Sequence, residues 1–353
     1  MTGDRTRLLW AIVSGGVIMG LALGARHVQG LFLVPMTLDR GWSREAFGFA
    51  LAMQNLVWGL AQPFTGMIAD RFGSVRVVVA GTLLYLAGLV LMSLATTPLG
   101  LTLSAGLLIG VALSCTAFAT IYGAISRIVD AKQRSWALGV AGAVGGLGQF
   151  VMVPLTQGLQ GWLGWASALV VLGLALVLCA PLAIMLRDRS ATARLTGPAQ
   201  SMTQAIREAF AHRGFWLLNA GFLACGFQLA FIASHMPAYL LDKGLGARVA
   251  VGGLALIALG YIVGTYVWGS LGDLYRRKYL LSGLYLARSG AMALFILLPL
   301  SPASVYAFST VMGLLWLGAV PLTNGLVSQV FGVRYIATLF GFVFFGHQVG
   351  SFL

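Results

Sequence analysis

Charged residues are scarce in this chain, and acidic residues are the scarcest. Only 9% of its 353 residues are charged, and Asp and Glu number 9 against 22 Lys and Arg. Soluble domains carry about 25% charged residues, so this composition excludes an ordinary water-soluble fold. Cysteine is also rare. Cys115, Cys179 and Cys225 are odd in number and lie in apolar runs, so structural disulfides are not expected.

Long apolar stretches stand where charge is missing. Hydrophobic residues make up 59% of the chain, and runs of about 20 apolar residues, enough to cross a bilayer as a helix, recur along it. The pattern predicts an all-α polytopic membrane protein. Its spans are expected at 8–37, 46–68, 75–95, 99–126, 135–158, 163–186, 215–240, 248–271, 279–299, 304–331 and from 338 to the end.

Basic residues are concentrated on one side of these spans. A cytoplasmic N-terminus leaves sixteen Lys and Arg in the inner segments and four in the outer loops. By the positive-inside rule, this asymmetry predicts that orientation. The net charge of +13 then reflects membrane topology, and no nucleic-acid partner is expected. The polar start, residues 1–7, leads into a run longer than a signal-peptide core and is expected to be retained.

Two short polar loops share a pattern. The first reads Gly-Met-Ile-Ala-Asp-Arg-Phe-Gly-Ser-Val-Arg from Gly66 to Arg76, and the second reads Gly-Ser-Leu-Gly-Asp-Leu-Tyr-Arg-Arg-Lys from Gly269 to Lys278. Both place an aspartate after a glycine and three further residues, and then basic residues. In these loops the chain resembles the major facilitator superfamily of secondary transporters, whose signature loop is Gly-x-x-x-Asp-Arg-x-Gly. The second copy lacks the later glycine.

The resemblance implies a major facilitator fold, in which two six-helix bundles are related by a repeat. At an offset of 202 residues, Pro35 aligns with Pro237. We therefore expect an N-terminal bundle over 1–186, a cytoplasmic linker with an amphipathic helix over 187–214, and a C-terminal bundle over 215–353. The repeat partner of the sixth span would end near residue 388, so the C-terminal bundle is expected to be truncated, with about 11 of 12 spans present.

Two arginines lie deep within spans that hold no carboxylate. Arg26 and Arg288 are both at least ten residues from the polar ends of their spans, near mid-depth at about 1.5 Å per residue. A charge at that depth costs about 2.5–3.5 kcal/mol. A carboxylate substrate would satisfy a guanidinium through charge-assisted, bidentate hydrogen bonds. The alternative is structural: the side chain reaches an interface or braces a helix through backbone carbonyls.

Other polar side chains complete the predicted substrate site. His235 and His347 are candidates for proton or substrate contact because histidine titrates near neutral pH, although histidines in spans also serve as plain interhelical hydrogen-bond partners. The resemblance implies which spans line the cavity. The predicted substrate-binding set is Arg26, Asn55, Tyr122, Gln149, Gln228, His235, Arg288, Asn324 and His347.

The two polar loops are predicted to act as a gate. Asp70 is expected to cap a neighbouring helix N-terminus, or to pair with Arg71, Arg76 or Arg127, and so to favour the outward-facing state. The predicted gating residues are Gly66, Asp70, Arg71, Gly73, Arg76, Gly269, Asp273, Arg276 and Arg277.

A turn after the first span narrows the resemblance. Gly41-Trp42-Ser43-Arg44 looks like the bacterial relatives of monocarboxylate and oxalate/formate porters. The leading hypothesis is a secondary active transporter of small organic anions, with monocarboxylates expected. It would work by alternating access as a proton-coupled transporter or an exchanger, as a monomer in a bacterial inner membrane. Its partners would be the anion, a proton or counter-anion, and the lipid bilayer.

Two other functions stay open at this point. The same fold serves proton antiporters that export drugs and lipophilic compounds, and it serves non-transporting membrane sensors. The polar segments contain no nucleotide loop, metal-ligand spacing or Ser/His/Asp set. The chain is therefore not expected to be an enzyme or to need a cofactor or metal.

Overall fold

Eleven helical spans run through the part of the chain that the computed structural model describes, residues 2–187 and 200–353. The first continues from Thr2–His27 through a 3₁₀ turn, Val28–Phe32, into Leu33–Arg40. The others are Arg44–Phe72, Ser74–Leu94, Pro98–Ile128, Ala131–Leu186 (the fifth and sixth, divided at Gly164), Arg213–Asp242, Ala247–Leu274, Arg277–Leu297, Pro302–Leu315 with Ala319–Phe331, and Ile336–Phe352. The predicted all-α membrane fold is confirmed.

Length and hydropathy alone identify eight of these helices as membrane-crossing within the described residues. The difference from eleven has three physical causes. Gly164, at φ 78°, turns one apolar helix back on itself, so Ala131–Leu186 contains two spans. The second span buries polar side chains such as Gln54 and Gln62 and is therefore less apolar. The eleventh, Ile336–Phe352, has only 17 residues.

Local capping chemistry sets several helix ends. Gly41, at φ 66°, ends the first span, and the Ser43 hydroxyl accepts a hydrogen bond from the Ala46 N–H at 3.2 Å to begin the second. Thr97 and Ser301 cap the fourth and tenth spans in the same way, both followed directly by proline. These short polar turns explain why boundaries could be located from the sequence.

Small residues bring the helices together within and between the two halves of the molecule, residues 2–187 and 200–353. A Cβ placed on Gly148 in the fifth span would lie 2.8 Å from the Gly20 Cα in the first. Between the halves, a Cβ placed on Gly269 in the eighth span would lie 2.6 Å from the Gly139 Cα in the fifth. The backbones at these positions are therefore too close for any side chain.

The fourth and tenth spans are both interrupted. The fourth breaks at Ala117, which has extended backbone geometry, and the tenth breaks between Leu315 and Ala319. Ala117 and Ala319 are 202 residues apart, the repeat offset predicted from the sequence. Discontinuous helices at equivalent places in two halves are a feature of transporter binding sites, because they free backbone carbonyls near the membrane centre.

Part of the predicted linker forms a helix, Met202–Ala211, with a capping box made by Ser201 and Gln204. It buries Ala205 and Ala209, so one face packs on the protein as an amphipathic helix does. Residues 188–199 of the predicted linker lie outside the described residues. The domain boundaries at 186 and 215 stay a prediction.

Candidate functional site

An aspartate at the end of the second span caps the eleventh span. The Asp70 carboxylate accepts hydrogen bonds from the backbone N–H groups of Ala337 at 3.3 Å and Thr338 at 2.7 Å. The Thr338 hydroxyl donates at 2.8 Å, and Arg127 pairs with the same carboxylate at 2.5 Å. A negative charge is favourable at a helix N-terminus because unpaired N–H groups point at it. This contact, here the Asp70 latch, joins the two halves.

A second aspartate makes the reciprocal contact. Asp273, at the end of the eighth span, accepts from the backbone N–H groups of Ser135 at 3.0 Å and Trp136 at 2.7 Å, at the start of the fifth span. Arg277 donates to Asp273 at 2.9 Å and to the Ser135 hydroxyl at 2.7 Å. In this Asp273 latch, the C-terminal half caps a helix of the N-terminal half. The Asp70 latch has the capping geometry predicted for it, and the Asp273 latch repeats that geometry; the role of both in transport stays a prediction.

The other predicted gating residues surround the latches. Gly73, at φ 93°, lets the third span follow the second without a longer loop. Gly66 packs directly against the backbone of Ala337, and Gly269 against that of Gly139. Exposed arginines complete the set: Arg71 and Arg76, which line a recess of about 1110 Å³ between the loops, and Arg276.

Aromatic rings of both halves meet near the membrane centre. Phe344 of the eleventh span lies with its ring centroid 5.1 Å from Trp58 of the second span and 5.6 Å from Phe118 of the fourth. Phe222 of the seventh span lies 6.3 Å away on the other side. All four residues are buried. This aromatic layer separates the polar groups at mid-depth from the two latches.

Arg26 lies at the edge of the aromatic layer with its hydrogen bonding incomplete. One of its Nη atoms donates to Asn55 Oδ1, and its guanidinium lies 5.4 Å from the Trp58 ring centroid. The Tyr85 hydroxyl, which donates to the Ala22 carbonyl at 2.9 Å, lies close enough to interact with the same charge. Arg26 is partly exposed, and its Nε has no hydrogen-bond partner among the described residues.

His347 continues this polar network into the other half. Its Nδ1 lies 3.2 Å from Gln348 Oε1, and Gln348 Nε2 donates to the Asn55 carbonyl at 3.4 Å. The imidazole also stacks on Phe344 at 5.4 Å. Two predicted residues from opposite halves, Arg26 and His347, are therefore linked through Asn55 and the aromatic layer.

A third polar group lies where the fourth, fifth and eighth spans meet. Gln149 donates to the Tyr261 hydroxyl at 3.1 Å, and that hydroxyl donates to the Gly142 carbonyl at 3.4 Å. Tyr122 is fully buried and interacts electrostatically with Tyr261, but its hydroxyl has no hydrogen-bond partner among the described residues. Buried hydroxyls without partners are rare, and that of Tyr122 packs against Gly142 of the fifth span.

The structure places the remaining predicted residues in different surroundings. Asn324 accepts a hydrogen bond from Ser126 of the other half at 2.9 Å, on the latch side of the aromatic layer. Gln228 has a buried Oε1 without a partner in the described chain. His235 is exposed and stacks on Phe231 at 4.6 Å. These side chains do not join the network around Arg26.

Arg288 is fully buried within the C-terminal half. Its Nε donates to the Leu315 carbonyl at 3.1 Å, and its Nη atoms donate to the carbonyls of Leu315 and Trp316 and to Cys225 Sγ, the last at 3.0 Å. The guanidinium also lies 5.7 Å from the Tyr285 ring centroid. Arg288 thus caps the carbonyls freed by the break in the tenth span. These carbonyl contacts match the structural alternative that the sequence left open, and a substrate role for Arg288 stays a prediction.

Sequence reasoning missed several residues of this site. Each of these residues contacts a predicted site residue, but in the sequence it looks like an ordinary apolar or polar member of its span. They are Trp58, Tyr85, Cys225, Phe344 and Gln348. The one usable signal was helical spacing, because Trp58 follows Asn55 by three positions and so shares its face. Contacts between spans leave no such signal.

Two helical halves, latched at one end and lined with polar groups at the centre, define a membrane transport protein. The family model of the Major Facilitator Superfamily matches residues 11–353, so the chain belongs to that superfamily. The family and the fold predicted from the two polar loops are confirmed.

Individual relatives within the superfamily can also be compared with this chain. The chain is 23% identical to the uncharacterized MFS-type transporter YcxA of Bacillus subtilis (strain 168), across 98% of this chain and 86% of that protein. It is 26% identical to monocarboxylate transporter 11 of Mus musculus, across 75% of this chain and 59% of that protein. The crystal structure of FucP in the outward conformation matches the fold with a TM-score of 0.73 at 13% identity, covering 97% of this chain and 89% of that one.

Proposed function

We propose that this transporter carries small organic anions, with monocarboxylates as the expected class, by alternating access. Arg26 carries the proposal. The residue is partly exposed, but its Nε atom is buried without a partner, and it forms no ion pair with a carboxylate among the described residues. Desolvated cations need an anion or several acceptors. A substrate carboxylate at this position would supply both.

The surroundings of Arg26 favour a small substrate with one apolar side. The guanidinium offers donors on one edge, and the Trp58 ring and the aromatic layer offer an apolar surface beside it. Tyr122, Gln149 and Tyr261 provide further hydrogen-bonding groups. The printed name of the mouse relative, a monocarboxylate transporter, supports the same substrate class.

The proposed orientation places the basic loops in the cytoplasm. The sixteen-to-four distribution of Lys and Arg supports it, and both latches lie at that end of the molecule. A molecule latched there holds its cytoplasmic side closed. The likeness to FucP in its outward conformation supports assigning the structure to the outward-facing state.

Uptake by purified protein in liposomes tests the proposal. We expect labelled lactate, pyruvate or oxalate to accumulate, and we expect Arg26→Gln to reduce initial rates by about 10- to 100-fold, since a hydrogen bond to a charged group contributes about 1.5–3 kcal/mol. Arg44→Gln is the matched control, because Arg44 is an exposed arginine at the start of the second span, away from the proposed site. The proposal is wrong if none of these anions is transported, or if Arg26→Gln transports them as fast as the control.

A further inference from the structure

A basic recess opens at the latched end of the molecule, beside the Asp70 latch. Its volume is about 1110 Å³, comparable to that of pockets that hold small ligands. Arg71 and Arg76 of the N-terminal half line it, and so do Arg334 and Tyr335 of the C-terminal half. The two halves therefore build this basic recess together.

The lining of the basic recess is strongly positive. It contains six arginines and two aspartates, a net charge of +4. One of the aspartates, Asp70, is already occupied by Arg127 and by the start of the eleventh span. Four of the arginines form no ion pair with a carboxylate among the described residues, and three of these four are exposed. The four are Arg71, Arg76, Arg187 and Arg334.

Membrane topology alone does not account for this arrangement. The positive-inside rule places basic residues on one side of the bilayer, but it does not gather them around one recess, where like charges repel. A concave surface lined by one sign of charge concentrates counter-ions. A bound anion would remove the repulsion that the four unpaired arginines create.

The lining favours phosphate over a simple carboxylate. Guanidinium groups bind phosphate through paired hydrogen bonds, and a phosphate group offers three acceptor oxygens and more than one negative charge to several arginines at once. The first turn of the third span, Ser74–Leu94, also lines the basic recess, and no side chain caps it. Its helix dipole adds to the attraction for an anion.

We infer that the basic recess binds a phosphate-bearing anion and that the bound anion stabilises the latched state. Arg71 and Arg76 lie on one side of the Asp70 latch, and Arg334 lies on the other. When the latch opens, the two halves separate and the site comes apart. An anion that binds only the assembled site shifts the population towards the latched state. The site is separate from Arg26, and in the orientation proposed above it faces the cytoplasm.

Binding of inorganic pyrophosphate to the purified transporter, measured by calorimetry at low salt in a neutral detergent, tests the site. We expect Arg187→Gln and Arg334→Gln each to raise the Kd by about tenfold, as for loss of a hydrogen bond to a charged group. Arg207→Gln is the matched control, because Arg207 is an exposed arginine of the linker helix that does not line the basic recess. Melting without pyrophosphate should be equal in the three variants.

A lipid arm separates the two sources of phosphate. The headgroup of an anionic lipid carries the same group as a soluble anion, so the transporter is also melted in nanodiscs of phosphatidylglycerol and of phosphatidylcholine. If pyrophosphate does not bind, but phosphatidylglycerol raises the melting temperature of the wild type and of Arg207→Gln more than that of Arg334→Gln, the ligand is the lipid headgroup. Absence of both effects overturns the inference. So does a pyrophosphate Kd that is equal in Arg334→Gln and Arg207→Gln.

Spin labels on the two halves test the link to the latch. Asp273→Asn weakens the other latch, and Asp273 does not line the basic recess. At ten times its Kd, pyrophosphate should raise the ratio of latched to open molecules in this variant by about tenfold. Unchanged distances in both this variant and the wild type would overturn the coupling. None of these measurements uses transport, so their failure is distinct from failure of the proposed anion transport.

Discussion

Arg26 and Arg288 occupy similar depths in the two halves of this transporter, and the sequence presents them as equals. Their neighbours differ. Arg288 is fully buried and bonded to two carbonyls and a sulfur, whereas Arg26 is partly exposed with an unpartnered Nε. One cation completes its bonding within the chain and braces a broken helix. The other has a buried donor, Nε, without an acceptor among the described residues. The rarity of a buried arginine therefore says little about its role until its acceptors are counted.

The latches show the opposite relation. The Asp70 latch and the Asp273 latch place a carboxylate on the first turn of a helix in the other half, with an arginine beside it. The two halves are thus alike at their latches and unlike in the contacts of their buried arginines. This contrast leads to four predictions, from the largest expected effect to the smallest.

The largest effect is expected from Arg288→Met. Removing the guanidinium leaves the carbonyls of Leu315 and Trp316 without this donor, and each buried unsatisfied group costs about 1–3 kcal/mol. We expect a loss of about 3 kcal/mol or more in the free energy of unfolding, measured by denaturation in detergent. Arg26→Met serves as the comparison and should lose about 1 kcal/mol or less. Equal losses in the two variants would remove the distinction between the arginines.

Arg26→Lys should lower transport by about tenfold while leaving melting unchanged. Lysine keeps the charge but lacks the planar fork that binds a carboxylate through two parallel hydrogen bonds. The effect should appear mainly as a higher KM, measured from initial uptake rates over a range of anion concentrations. Wild-type KM in Arg26→Lys would show that the fork is not used.

Asp70→Asn and Asp273→Asn should have similar, smaller effects. A neutral cap keeps some hydrogen bonding but loses the charge term, which costs about 1 kcal/mol at each helix N-terminus. We expect each variant to shift the population towards the state open at the loop end by about fivefold, read from distances between spin labels on the two halves. Asp242→Asn is the control, because Asp242 is exposed at the end of the seventh span and belongs to neither latch. A shift in only one latch variant would contradict their equivalence.

The smallest effect is expected from Tyr85→Phe. It removes one hydrogen bond, from the Tyr85 hydroxyl to the Ala22 carbonyl, near Arg26. A neutral hydrogen bond contributes about 1 kcal/mol, so we expect a two- to threefold higher KM for the anion with little change in melting. Tyr306→Phe, in the tenth span, is the control, and its KM is expected to equal that of the wild-type protein.

Much of the fold could be predicted from the sequence because the membrane imposes simple rules. Apolar length located the spans, and the two Gly-x-x-x-Asp loops indicated the family. The site was less predictable. Asn55 and His347 could be selected as polar residues in spans. Their link, however, runs from the His347 ring to the Gln348 side chain and from there to the Asn55 backbone carbonyl, and a contact between spans cannot be predicted from either span alone. Cys225 was not selected as a site residue, because nothing in its own span shows that Arg288 lies beside it.

At Gly139 and Gly269 the two halves are in direct backbone contact at the end of the molecule that carries the latches. Because main chain meets main chain there, no side chain can swing aside to admit an ion while the rest stays shut. Leakage through that seam requires whole helices to separate. In the alternating-access cycle proposed above, opening at this seam would therefore move the fifth and eighth spans as whole helices.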